Sequence, residues 1–428
     1  MLKFRQLTHG RYGHTLNRRQ VLSPDGGWVV YDTRNDDSKI AQTDAIEMVH
    51  VETGEVVRLY TKASTVDGPG VGAVAFHPSN QQICFIHGLE SCSPNRPYSA
   101  ARRFGAILDV RTPQRIRHAE SRSAHPTHVS RILGALSGGT HAHSWNKLGW
   151  LSFTYNDAYL EQLAKQNPTS IRDLRTVGFM IPGEVHFPLE QTSLDELESF
   201  YGTFLAFVAV QVTPSPKAGS DEIEQAVEEC WLTSNRLAFQ GATRDTEGNL
   251  VYEVFRCDLP SESDMRQLAN TKLELADDPY ARLQSLPGCR QTRLTRTTGA
   301  RHPGVQGPRN WLVGSPDGRY VYFPMRDEFG LVQLCRVSSD GGPAEQVTQL
   351  DASIDGQISI NANGDRCAFI TNNKLCAVDL RSGTHRWLTE SQPHAFVGAA
   401  HFLDQNRFVL NAYVGQEPDR FLQIFVCE

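Results

Sequence analysis

The sequence predicts an all-β fold: a single seven-bladed β-propeller over residues 1–428, closed by an N-terminal strand that joins the last blade, with small helical insertions. Three observations carry this reading. A strand–turn–strand pattern built on Ser-Pro-Asp-Gly recurs along the chain, its copies recur at blade-like intervals, and the outer strand missing from the last copy stands at the opposite terminus.

The first copy is Val21-Leu22-Ser23-Pro24-Asp25-Gly26-Gly27-Trp28-Val29-Val30-Tyr31-Asp32. Proline presets the turn's φ, Asp bonds the local backbone and Gly accepts positive φ, so the turn has a mechanical cause. The pattern returns at Ala75-Phe76-His77-Pro78-Ser79-Asn80 and at Gly314-Ser315-Pro316-Asp317-Gly318. Weaker copies stand at Asn361-Ala362-Asn363-Gly364 and Leu403-Asp404-Gln405-Asn406, and eroded ones at Trp145-Asn146-Lys147-Leu148 and Thr233-Ser234-Asn235. From Ser315 to Asn361 the step is 46 residues and from Asn361 to Phe402 it is 41. Steps of about 40–50 residues holding several short strands each mark propeller blades.

A third strand follows most turns, as in Ala45–Val51, Leu331–Val337 and Lys374–Val378, and a fourth ends in Val347-Thr348 or Leu388-Thr389. The last blade has its third strand at Leu422–Val426 and then the chain stops. Phe4-Arg5-Gln6-Leu7-Thr8 supplies the missing outer strand, which removes an open sheet edge. The steps lengthen to 87 and 83 residues around Leu232, placing insertions at about 158–200, 213–229 and 260–300. Tyr159–Lys165 reads as a helix, and so does Asp221–Glu229, with Ser220 as N-cap and acids in its first turn. Long insertions on a propeller cap a face, where binding occurs.

Composition bounds the function. The 39% hydrophobic and 21% charged residues describe a globular chain. A net charge of −6 gives no basic field for nucleic acid, and no run of about 18 apolar residues exists to span a membrane. The start lacks the apolar stretch of a signal peptide, and nine dispersed cysteines without a CxxC pair read as reduced thiols. The expectation is a cytoplasmic monomer or weak homo-oligomer.

The chemistry gathers in two stretches. Gly138-Gly139-Thr140-His141-Ala142-His143 puts two imidazoles one residue apart in a strand, hence on one face, which suits a metal or an anionic ligand. Arg301-His302-Pro303-Gly304-Val305-Gln306-Gly307-Pro308-Arg309 adds a His, a Gln and two Arg in a Gly/Pro loop. Aligning blades on their turns places Arg19, Ala73, His141, Trp311, Gln357 and Gly398 at equivalent positions opening the innermost strands, where they line the channel. The bland alternative has both histidines bonding backbone between blades.

The Ser-Pro-Asp-Gly blades ending in Leu-Thr resemble TolB-type propellers and oligogalacturonate lyases. The His141/His143 stretch, Phe153-Thr154-Tyr155-Asn156-Asp157, Gly219-Ser220-Asp221-Glu222-Ile223 and the His302–Arg309 loop resemble YidR-type proteins over nearly the whole chain. The lyase resemblance implies a divalent metal, Mn²⁺ in that family, with His141 and His143 as its His-x-His ligands and His302 beside them. The family's Gln before that pair is replaced by Gly138, and Gln306 and Gln357 are both open as substitutes. It also implies β-elimination on a small acidic saccharide, with Arg301, Arg309, Arg122 and Arg131 as carboxylate clamps. Trp311 would then face the substrate, and Tyr155 or His302 would serve as base or acid. The competing expectation is a non-catalytic TolB-like propeller that binds a protein or peptide. Each Arg has a plain alternative as an inter-blade or surface salt bridge.

Overall fold

The computed structural model describes all residues except 37, 124–129, 188–197, 276 and 308–310. Seven antiparallel sheets stand around a channel as the blades of a propeller, six of them four-stranded. The first blade pairs three strands, Trp28–Asp32, Ala45–His50 and Val56–Thr61, with its innermost position held by a single Leu22–Val29 bridge. The last blade runs Phe396–Phe402, Phe408–Val414, Phe421–Cys427 and then Phe4–Gln6, with Phe4 opposite Cys427.

Local hydrogen bonds explain the sequence signatures. Ser23 Oγ donates to Asp25 Oδ1 at 2.5 Å and accepts from the Trp28 amide at 2.9 Å. Ser315 repeats this with Asp317 at 2.5 Å and Tyr320 at 3.0 Å. In the eroded turn Asn146 does both jobs, accepting from the Leu148 and Trp150 amides, each at 2.9 Å. The threonine of the Leu-Thr signature is equally mechanical. Thr348 and Thr389 each accept, at 3.0 Å, the third-strand amide of Leu334 or Leu375. Thr8 takes the amide of Ile424 at 2.9 Å, so the N-terminal segment fills the same place in the closing blade.

The insertions carry short helices. Helix Ala158–Gln166 is capped by Asp157, whose carboxylate accepts the amides of Tyr159 and Leu160. A second helix, Glu262–Leu268, is capped by Ser261. Leu160, Met265, Leu283 and Leu286 join the core that holds Phe153 and Phe179, so the insertions pack as part of blades 3 and 4.

The predicted acidic helix over Asp221–Glu229 is a correction: the chain is extended there and becomes the inner strand Gln225–Thr233. Long-range ion pairs hold these acids in place. Glu224 meets Arg172 and Arg244, and Asp221 meets Arg296.

Candidate functional site: a cavity at the channel mouth

Five blades share one local distortion in or beside the innermost strand. Gln20, Ala73, Ala142, Glu228 and Gly398 take φ values of +56, +54, +61, +56 and +80°. In four of these the pairing register shifts at the same point, as at His141/Ser144 and Val397/His401. This is a bulge, which re-aims the flanking side chains. It overturns the expectation that His141 and His143 share a face, because a left-handed residue between them breaks the alternation.

The two histidines therefore have different surroundings. His143 is buried in the blade interface, where its Nε2 lies 2.9 Å from Thr140 Oγ1. Thr140 donates to Glu120 at 2.6 Å, so its hydroxyl accepts from His143 and fixes a neutral Nε2–H tautomer. Burial, reinforced by the charge of Arg103, pushes His143 down to about 3, while burial raises the Glu120 carboxyl. Gly138 and Gly139 serve close packing: a Cβ on either would lie 2.0 Å from Asn156 O or 2.1 Å from Ala100 O.

His141 lines a cavity of about 700 Å³ at the channel mouth. Neither ring nitrogen has a hydrogen-bond partner. Its pKa falls well below the ordinary value, first through burial and then through the charges of Arg103 and Arg175. Arg103 lies 4.7 Å over the Tyr98 ring, and Arg175 donates to Asn156 Oδ1 at 3.1 Å. Both guanidiniums line the cavity with His141, and Tyr98 and Tyr413 contribute to its wall. Its other two arginines are neutralised: Arg34 by Asp32 at 2.6 Å and Arg18 by Glu228 and Glu229. Among the described residues Arg103 and Arg175 are thus the cavity's arginines without an ion pair, with Asp36 and Asp355 elsewhere in the same lining. The two arginines open the third strands of adjacent blades, Arg103–Asp109 and Arg175–Pro182, an equivalence readable from the repeats but not extracted from the sequence.

Of the residues singled out from sequence, Gln357 and Trp311 line this cavity with His141. Ala73 and Gly398 line it too, while the remaining candidate ligands and catalytic residues lie elsewhere. Tyr155 is buried, donating to Asp157 at 2.9 Å beside the buried Arg282–Asp157 pair. Arg122 is buried between blades with its Nη1 on the carbonyls of Ala101 and Gly138. Arg131 donates to the carbonyls of Arg282 and Gln284 at 3.0 and 2.7 Å, tying down the insertion. Gln306 Nε2 donates to Pro303 O at 2.7 Å within its own loop. His302 sits against Gly330, and Arg301 donates to the Glu328 carbonyl at the surface. Arg309 lies outside the described residues.

The donor set does not fit a divalent metal. His143 is committed to Thr140 and turned from the cavity, and His302 and Gln306 are on the outer loop, leaving His141 and Gln357 as the implied ligands that share one wall. Among the described residues no three His, Cys, Asp or Glu side chains assemble into a metal-holding group.

A family model described as a protein of unknown function, DUF3748, matches residues 70–191. The Uncharacterized protein YidR of Escherichia coli (strain K12) is 31% identical over 395 residues, covering 90% of this chain and 89% of that protein. The chain belongs to the YidR family. Among solved structures, an oligogalacturonate lyase in complex with manganese matches with a TM-score of 0.56 at 8% identity, covering 100% of this chain and 96% of that one. An oligogalacturonate lyase from Vibrio parahaemolyticus matches at 0.50 and 9% identity, with 100% and 97% covered. At such identity the likeness is one of fold. No helix among this YidR-family chain's described residues is long and apolar enough to cross a membrane.

Proposed function

We propose that the channel-mouth cavity is an active site for a small acidic saccharide, and that the protein is a lyase cleaving it by β-elimination. One observation carries the reading: an imidazole held neutral, neither nitrogen of which has a hydrogen-bond partner, lines a large cavity together with two guanidiniums that make no ion pair among the described residues. Arg103 and Arg175 grip the uronate carboxylate, which withdraws charge from C5 and acidifies its proton. His141 takes that proton, the C5–H electron pair becomes the C4=C5 double bond, and the C4–O bond breaks. The leaving oxygen takes a proton from the imidazolium or from water. Carboxylate binding also offsets the field of Arg103 and Arg175, the lesser cause after burial of the lowered His141 value, so the base strengthens as substrate arrives. Tyr98 and Tyr413 offer faces for the sugar rings. All nine cysteines are free thiols, which supports a reducing compartment and hence the cytoplasm.

Incubation with oligogalacturonates, followed by the ultraviolet absorbance of the unsaturated product, tests the reaction. Wild type should generate absorbance, His141→Gln should lose it while still binding, and Arg175→Ala should lose binding. If wild type neither cleaves nor binds any uronate, the proposal fails and a protein- or peptide-binding propeller takes its place.

A further inference from the structure

A second cavity, of about 350 Å³, lies farther along the same channel. It is lined by the far ends of the inner strands, among them Ser144, Trp145, Cys230, Trp231 and Ile360. Arg18 and Trp311 line both cavities and form the partition: the Arg18 guanidinium lies 4.6 Å over the Trp311 ring while its charge is met by Glu228 and Glu229.

The lower cavity has a chemistry of its own. Trp145, Trp231, Trp311 and Phe402 supply apolar, flat surface. Arg19 lines it with no ion pair or hydrogen bond among the described residues, and burial beside Arg18 brings its pKa down to about 10. No described acidic residue lines the cavity, and the nearest carboxylates, Glu228 and Glu229, are engaged by Arg18. His401, buried in the same wall, leaves its Nε2 without a partner. Buried polar atoms are otherwise almost always bonded, so an orphan imidazole nitrogen and an unpaired guanidinium lining one cavity mark a place where a ligand completes the set. At about 30 Å³ per water, the volume suits on the order of ten non-hydrogen atoms.

From Arg19, His401 and the tryptophan wall we infer that this cavity is a second binding site, distinct from the channel-mouth site, for a small planar carboxylate such as an aryl acid. The carboxylate sits on the Arg19 guanidinium, the ring lies among the indoles, and a polar substituent meets His401 Nε2. The site shares the Arg18–Trp311 partition with the upper cavity but uses none of Arg103, Arg175 and His141, so it stands or falls apart from the proposed lyase chemistry.

Tryptophan fluorescence and calorimetry, with benzoate and 4-hydroxybenzoate as probes and benzyl alcohol and inorganic phosphate as controls, test it on the full chain. Saturable binding of both acids is expected, 4-hydroxybenzoate the tighter of the two and both at least tenfold tighter than benzyl alcohol, with phosphate inert. Arg19→Gln should weaken the acids tenfold or more, and His401→Phe should abolish the preference for 4-hydroxybenzoate. Ala362→Trp, placed at an exposed lining residue, should block entry without disturbing the core. Arg175→Ala, which alters the upper cavity alone, should leave benzoate binding unchanged. Absence of binding in wild type overturns the proposal. So does equal binding by Arg19→Gln and Ala362→Trp, or loss of benzoate on Arg175→Ala, which would move the ligand to the upper cavity.

Discussion

The two cavities of the channel are built from the same strands yet differ in kind. The mouth is polar, with four arginines, three acids and His141 in a volume of about 700 Å³. The lower cavity is half as large, aromatic, and carries cations without a described acid. The difference follows from the bulges. Above each bulge the strand starts receive polar side chains from the loops, while below it the strand presents core-type residues such as Trp145 and Phe402. Arg18 is the boundary, and both cavities depend on where it is held.

The largest expected effect comes from breaking that boundary. Glu229 is fully buried, accepting from Ser152 and Thr154 at 3.2 and 3.0 Å and facing Arg18 at 3.6 Å. Glu229→Ala should cost about 3 kcal/mol in a denaturant titration, because it strips a partner from a buried guanidinium and orphans two hydroxyls. Glu228 is partly exposed. Glu228→Ala should cost about 1 kcal/mol. Equal costs would mean that Arg18 is held from the mouth side and that the partition belongs to the upper cavity.

A smaller effect tests the bulge itself. Ala142 has φ +61° with a side chain that a left-handed residue tolerates poorly. Ala142→Val should lose about 2 kcal/mol and Ala142→Gly should be close to neutral, the relief of strain offsetting the entropy of glycine. If Val is as stable as Ala, the strand is regular in solution and His141 and His143 face the same way after all.

How much of this the sequence carried follows from the range of each interaction. The Ser-Pro-Asp-Gly turns and the Leu-Thr ends were legible because each is a hydrogen-bond device closed within a blade; Thr8 needed only recognition that its blade spans both termini. Leu294-Thr295 is a further copy of this device, its hydroxyl taking the Val254 amide at 2.9 Å. The helix expected over 221–229 failed because its acids are fixed by Arg172, Arg244 and Arg296, which arrive from distant parts of the chain. The His pair misled for a sharper reason. In the last blade the bulge residue is Gly398, which signals positive φ, but in the third it is Ala142, which signals nothing. With the alternation broken unseen, the pair looked like two ligands, and the arginines that flank His141 were overlooked.

The smallest effect separates the cavities by protons. His401, in the lower wall, is brought down to about 4 by burial. Its folded value lies below the ordinary 6.5, so the unfolded chain takes the proton first: this stability is complete above pH 6.5 and is lost as pH falls toward 4. Between pH 7 and pH 6 the loss is about 0.7 kcal/mol for one such histidine. The raised carboxyls of Glu120 and Glu229 work in the opposite sense, but in a window that opens only toward and above their usual 4.5. Unfolding measured from pH 7 to 5 should therefore slope less steeply in His401→Gln than in wild type, by up to one proton. Benzoate should flatten the wild-type slope less than it raises the whole curve, since a carboxylate on Arg19 stabilises the fold at every pH in that range while pulling the His401 value upward. A benzoate effect confined to acid pH would place the anion on a protonated His401 instead of on Arg19.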